Sequence, residues 1–165
     1  MDARPTLDLS HPGPRPTRPT SLVWLDSREA IILRPEGERI VVARLASDVP
    51  PRHRGAQHVR RDPQVRHGGG LAQESAERHR VEHLDRFLDA VAARLAPGDD
   101  LVVIGPGHVR EQLAHRVAER DSQRHAARDI VSSRSARTTV PQLVARVRQL
   151  TGLEPRRRMG SCCVR

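Results

Sequence analysis

The sequence predicts an α/β protein built on a mixed sheet, in the order β-β-β-α-β-α-β-α, with helices packed on the sheet faces. Three observations lead there. Three β-rich apolar runs between residues 22 and 45 are separated by short turn signals, the pattern of an antiparallel meander. Leu101-Val102-Val103-Ile104 is a continuous apolar run, as expected of a strand buried on both faces. Helical periodicity then alternates with short strands, which calls for crossover helices on a partly parallel sheet.

Each element has its own warrant. Leu22-Val23-Trp24-Leu25 ends at Asp26-Ser27-Arg28, a tight connection to Ala30-Ile31-Ile32-Leu33. Pro35-Glu36-Gly37-Glu38 is a turn signal before Ile40-Val41-Val42-Ala43-Arg44-Leu45. Val81, Leu84, Leu88, Val91 and Leu95 recur at helical spacing, and this first helix stops near Pro97-Gly98. The buried strand runs into Gly105-Pro106-Gly107, read as a tight turn with proline at the first helical position. The helix that follows carries Val109, Leu113 and Val117 on one stripe, and Asp129-Ile130-Val131 makes a short strand. Thr139 with Gln142 is a capping box for a last helix bearing Leu143, Val144, Val147 and Leu150, closed by Gly152.

Composition narrows the function classes. The 165 residues carry 29 basic residues, all arginine, against 20 acids, for a formal charge of +9. There is one Trp (Trp24), one Phe (Phe87) and no Tyr, so single-strand binding by stacking bases on aromatic rings is excluded as a main mode. Two adjacent cysteines, Cys162 and Cys163, make no disulfide framework and point to a reducing compartment. No run approaches the roughly 20 apolar residues of a membrane span, and the first 20 residues lack the apolar core of a signal peptide. A cytoplasmic, non-membrane protein is expected.

The charge is unevenly placed. Residues 21–46 sum to zero and residues 73–152 to +2, whereas residues 47–72 hold +3 and residues 153–165 another +3. Residues 1–20 contain five prolines without apolar periodicity and read as a disordered leader. The domain is therefore expected over 21–152, with a long basic loop at 47–72 and a basic disordered tail at 153–165. A flexible loop of that length would have an end-to-end distance of about 28 Å. Arg52, Arg54, Arg60, Arg61 and Arg66 in the loop, with Arg156, Arg157 and Arg158 in the tail, are the expected RNA-binding residues. Arginine contacts the phosphate backbone electrostatically, with strong salt dependence and little sequence preference.

Val23-Trp24-Leu25-Asp26-Ser27-Arg28-Glu29-Ala30, Val102-Val103-Ile104-Gly105-Pro106-Gly107 and Pro51-Arg52-His53-Arg54-Gly55 carry a family likeness. Together with the element order, they make residues 21–152 resemble the middle domain of the eukaryotic and archaeal peptide-release-factor and Pelota family. The short bacterial relatives called translational machinery proteins are more similar still. The resemblance implies a ribonuclease-H-like fold, a ribosome or rRNA/tRNA partner and no cofactor. Release factors of the family carry a Gly-Gly-Gln tip on this loop that acts on the peptidyl-tRNA ester. Here the loop ends Gly68-Gly69-Gly70-Leu71-Ala72-Gln73, with two residues between the glycines and Gln73. The expectation is a non-enzymatic, ribosome-associated, translation factor-like protein whose glycines form a hinge before the first helix. The alternative is a peptidyl-tRNA ester hydrolase using Gly68, Gly69, Gly70 and Gln73.

Other constellations carry less. His79-Arg80-Val81-Glu82-His83 matches an inverted zinc-protease motif, but helical phase turns His79, Glu82 and His83 away from the apolar stripe, where a catalytic metal lacks a dry cleft and a third ligand. No metal site is expected. A nuclease needs clustered carboxylates; Asp26 is the best placed, with Glu29, Asp99 and Asp100 read as solvated acids at element ends. The Gly-Pro-Gly turn lacks the Lys-Ser/Thr of a P-loop. Cys162-Cys163 is a poor metal site, and the terminal Arg165 does not fit a prenylation box.

Overall fold

Buried apolar residues fill both sides of the first strand, and the whole architecture follows from covering those two faces. The computed structural model describes residues 18–51 and 69–153. The elements are β1 (Thr20–Leu25), β2 (Glu29–Glu36), β3 (Arg39–Ala46), α1 (Gly69–Ala93), β4 (Asp100–Gly105), α2 (Val109–Gln123), β5 (Ile130–Arg134) and α3 (Val140–Thr151). One five-stranded sheet has the order β3-β2-β1-β4-β5. β1–β2 and β2–β3 pair antiparallel, and β1–β4 and β4–β5 pair parallel, so the expected mixed sheet is present.

Strand alternation divides the core in two. Val23, Leu25, Ala30, Ile32, Leu101 and Val103 face α1 and α2, where they meet Phe87, Leu88, Val91, Leu113 and Val117. Leu22, Trp24, Ile31, Leu33, Val102 and Ile104 face α3, through Leu143 and Val147. β1 and β4 lie centrally and are buried on both sides, which is why their sequences do not alternate.

Several local expectations shift. Pro35 and Glu36 belong to β2 rather than to the turn. Pro35 pairs with Ile40 of β3, beyond Leu33, the last residue of β2 that pairs with β1, so its missing N–H interrupts no ladder on that side. The turn reduces to Gly37-Glu38, with Gly37 at φ 62°, as a two-residue hairpin requires. Pro106 lies ahead of α2 instead of at its first position, because His108 is the N-cap. The chain needs that extra length to turn: Gly107 has φ 68°, and a Cβ on Gly105 would stand 2.0 Å from the Leu25 carbonyl oxygen. The Thr139 cap appears as read, its N–H donating to Gln142 Oε1 at 3.0 Å, and Gly152 closes α3 at φ 67°.

α1 differs most. It begins at Gly69, inside the stretch expected as loop 47–72. Glycine is tolerated at a helix start, and the Gln, Glu, Ala and Arg residues that follow are good helix formers. Its 25 residues span about 37 Å, against about 20 Å for a six-residue strand. Residues Glu74 to His79 are consequently exposed, and α1 overhangs the sheet. Val81, placed in the apolar stripe by its spacing, is 50% exposed, whereas Phe87 is buried. With His79 as origin, Phe87 and Val81 lie at about 80° and about 200°, on opposite margins of the stripe. The sheet receives the Phe87 side.

Polar groups close the end of the sheet where β1 and β4 begin. Arg128 spans both oxygens of Asp121 at 2.5 and 2.7 Å and donates to the Ala96 carbonyl at 3.1 Å. Both side chains are under a tenth exposed. Asp99, expected as a solvated acid, is also buried; it accepts from Ser21 Oγ at 2.9 Å and faces Arg34 Nε at 3.3 Å. The turn after α1 folds Asp99 beneath β1, a consequence of the crossover that no local pattern announces.

Candidate nucleic-acid interface

Ala46 ends β3, and the chain turns back across α1 through a set of specific contacts. Ser47 N–H donates to the Arg28 carbonyl at 2.7 Å, tying the segment to the first hairpin. Ser47 Oγ accepts from Val49 N–H at 3.2 Å. His83 Nδ1 donates to Asp48 Oδ2 at 2.8 Å, and Arg80 Nε donates to the Pro50 carbonyl at 3.3 Å. That hydrogen bond from His83 holds the Asp48 carboxyl below the usual carboxylate range.

These contacts anchor the start of the basic segment beside the middle of α1. The helix begins eleven residues earlier, at Gly69, about 16 Å farther along its axis. The described chain thus stops at Pro51 beside the flank of the overhanging helix and resumes at its tip, Gly69. Arg52, Arg54, Arg60, Arg61, Arg66 and Gly68 lie outside the described residues, as do Arg156, Arg157 and Arg158, Cys162-Cys163 and the leader up to residue 17. Gly69, Gly70 and Gln73 lie within the first turns of α1.

His83 is not the solvent-facing group that helical phase implies. Its side chain is 23% exposed, because the returning segment covers it. His79 and His83 approach with ring centroids 6.0 Å apart, yet no group of three potential metal ligands occurs among the described residues. Asp26, the best-placed candidate for a metal-holding carboxylate, is engaged locally. Its Oδ1 accepts from the N–H groups of Arg28 and Glu29 at 2.7 and 2.9 Å, which shapes the β1–β2 turn. Asp100 Oδ1 likewise accepts from Asp129 N–H at 3.1 Å. At the start of α2, Glu111 accepts from His108 Nδ1 at 3.1 Å, a bond that lowers its carboxyl from the usual range. A carboxylate at that helix end opposes phosphate capture there.

The structure also sorts the arginines. Arg116 and Arg120 of α2 bridge to Asp85 and Asp89 of α1 at 2.5 to 3.1 Å, forming a ladder between the two helices. Arg34, Arg80, Arg110 and Arg128 also pair with acids. Eighteen of the 29 arginines and 16 of the 20 acids fall in the described residues, so the folded part is close to neutral. This internal pairing was invisible in the sequence, because helix-to-helix partners stand 27 to 31 positions apart. Among the described residues, no helix is long and apolar enough to cross a membrane.

No family model and no curated protein matches the sequence. Solved structures are similar in fold. The Pelota protein of Thermoplasma acidophilum is 14% identical over 82% of this chain and 33% of its own, with a TM-score of 0.42. The archaeal translation termination factor aRF1 is 13% identical over 80% of this chain and 36% of its own, at 0.44. Dom34 of S. cerevisiae, a translation termination-like factor of RNA quality control pathways that interacts with Hbs1, is 10% identical over 81% and 36%, also at 0.44. The chain spans about a third of the length of each.

Proposed function

We propose that the chain is a cytoplasmic, non-enzymatic, translation factor-like protein that binds the ribosome or its RNA through the basic segment between β3 and α1. The sheet order β3-β2-β1-β4-β5, with β2 antiparallel to its neighbours, supports assigning it the ribonuclease-H-like fold of the release-factor and Pelota middle domain. The observation that carries the reading is the separation of charge. The platform carries nearly equal numbers of arginines and acids, six of those arginines in internal ion pairs, while Arg52, Arg54, Arg60, Arg61 and Arg66 belong to the segment that follows the Asp48–His83 and Pro50–Arg80 contacts. Arginine in such a segment contacts phosphates, and each contact releases a counterion. The tail residues Arg156, Arg157 and Arg158 add to the same interface.

Gln73 follows Gly69 by four residues within α1, a helical backbone instead of a glycine tip that presents its amide. This favours a binding role over ester hydrolysis. The test is co-sedimentation with ribosomes across a salt series, comparing the wild type with a variant carrying Gln at all five loop arginines. The variant should sediment less, with a salt slope shallower by roughly 0.7–0.9 for each phosphate it no longer neutralises. Unchanged sedimentation and slope would remove the loop from the interface.

A further inference from the structure

The two faces of the sheet carry opposite electrostatic designs. On the α1 and α2 side, the two helices carry six arginines and eight acids, and Arg116 and Arg120 bridge across to Asp85 and Asp89. On the other side, the chain from Ser135 to Leu153 that forms and leads into α3 holds no acid, and carries Arg137, Arg146 and Arg148. None of the three forms an ion pair with any described residue. Arg137 is exposed, and Arg146 and Arg148 are half-exposed on the two flanks of α3. The outer ridge of α3 between those flanks is Pro141, Gln142, Ala145 and Gln149, which is neutral. Arg44 adds a further cation to this side, because its register opposite Ile31 places it on the α3 face of β3. Sheet positions of that face carry acids only at strand ends, Glu29 and Asp100.

An arginine surface with acids only at strand ends, on a domain whose other helices carry more acids than arginines, calls for an external anion. From this we infer that the β5–α3 face is a second docking surface, for the phosphate backbone of duplex RNA. The chemistry selects that partner. Trp24 and Phe87 are both buried, so no aromatic platform is available for unstacked bases, and recognition must fall on the backbone of a structured nucleic acid. The outer ridge of α3 presents no large apolar side chain to insert into a lipid surface. The row from Arg137 along α3 to Arg148 covers about 14 Å of helix, enough to meet several phosphates of one strand. The choice of RNA over DNA rests on the translation factor-like role proposed for the chain. In that setting the face and the loop would grip separate stretches of backbone.

The experiment uses the full chain in two variants: Arg137→Gln with Arg146→Gln and Arg148→Gln, and the five-arginine loop variant. Each is titrated with a 20-base-pair RNA duplex, the DNA duplex of the same sequence, and phosphatidylserine vesicles, over a salt series. The α3 variant should bind the RNA duplex about tenfold or more weakly at low salt, with a slope reduced by about 2 to 3. A version with Lys at the same three positions should recover the slope, which a merely structural role for the arginines would not produce. If only the loop variant loses RNA binding, the second surface is overturned while the loop reading stands. If only the α3 variant loses it, the second surface stands and the loop reading fails. Equal affinity for the DNA duplex, or stronger binding to vesicles than to RNA, overturns the choice of partner.

Discussion

Replacing Asp121 with Asn tests the packing logic of this fold most sharply. The change keeps the shape of the side chain but removes the charge facing Arg128. The guanidinium then stays 5% exposed with no anion beside it, left with neutral acceptors only: the amide oxygen of the new side chain, the Ala96 carbonyl at 3.1 Å and the Asp99 carbonyl at 3.5 Å. Breaking a buried pair from one side costs about 3–5 kcal/mol, because the surviving ion is neither solvated nor matched. Stability for a domain of this size is about 5–15 kcal/mol, so the loss is about a fifth of it or more. At about 4 °C per kcal/mol, the melting temperature should fall by about 12–20 °C, and the urea midpoint by about 2 M. Urea unfolding followed by far-UV circular dichroism measures this, with an unchanged slope showing that the folded state is the same. The double replacement Asp121→Leu with Arg128→Met should cost far less, within about 1–2 kcal/mol of wild type, since it removes both ions together. A single variant that loses under about 1 kcal/mol, or a double variant as damaged as the single, would refute this account of the pair.

Other outcomes follow from the same geometry. Leu88→Ala should cost about 2–5 kcal/mol in chemical denaturation, as a fully buried leucine of α1, while Val81→Ala, at a half-exposed site, should change little. Gly105→Ala should cost about 3 kcal/mol or more, since its Cβ meets the Leu25 oxygen at 2.0 Å, whereas Gly107→Ala, with open space around it, should show only a backbone penalty of about 1 kcal/mol. Asp48 should titrate below the ordinary 3.8 in side-chain carboxyl NMR, so the anchoring of residues 47–50 is intact above that pH and fades as pH falls through the lowered value. His83→Ala should return the midpoint to about the ordinary value, and a midpoint unmoved by that change would show that the contact does not hold the segment. Gln73→Ala should leave ribosome binding unaltered, read by co-sedimentation, and stop-codon-independent peptide release abolished by that variant would establish the hydrolase reading.

The sequence by itself determined the element order, the mixed sheet and the two-sided burial of Leu101 to Ile104, because periodicity and turn chemistry are local. The Thr139 cap and the Gly152 stop were legible for the same reason. So was the concentration of unmatched arginine in residues 47–72 and 153–165. Tertiary structure decided whatever depended on which face meets which neighbour. Val81 and Phe87 sit on opposite margins of one helical stripe, and only docking against the sheet buries the second and exposes the first. Asp99 and Asp121 read as ordinary acids until the crossovers bring Ser21, Arg34 and Arg128 to them. His83 faces outward on an isolated helix, yet the chain leaving β3 returns over it and supplies Asp48. The ion pairs between α1 and α2 have the same origin: Arg116 and Arg120 meet Asp85 and Asp89 from 27 to 31 positions away, and the fold alone brings those elements together.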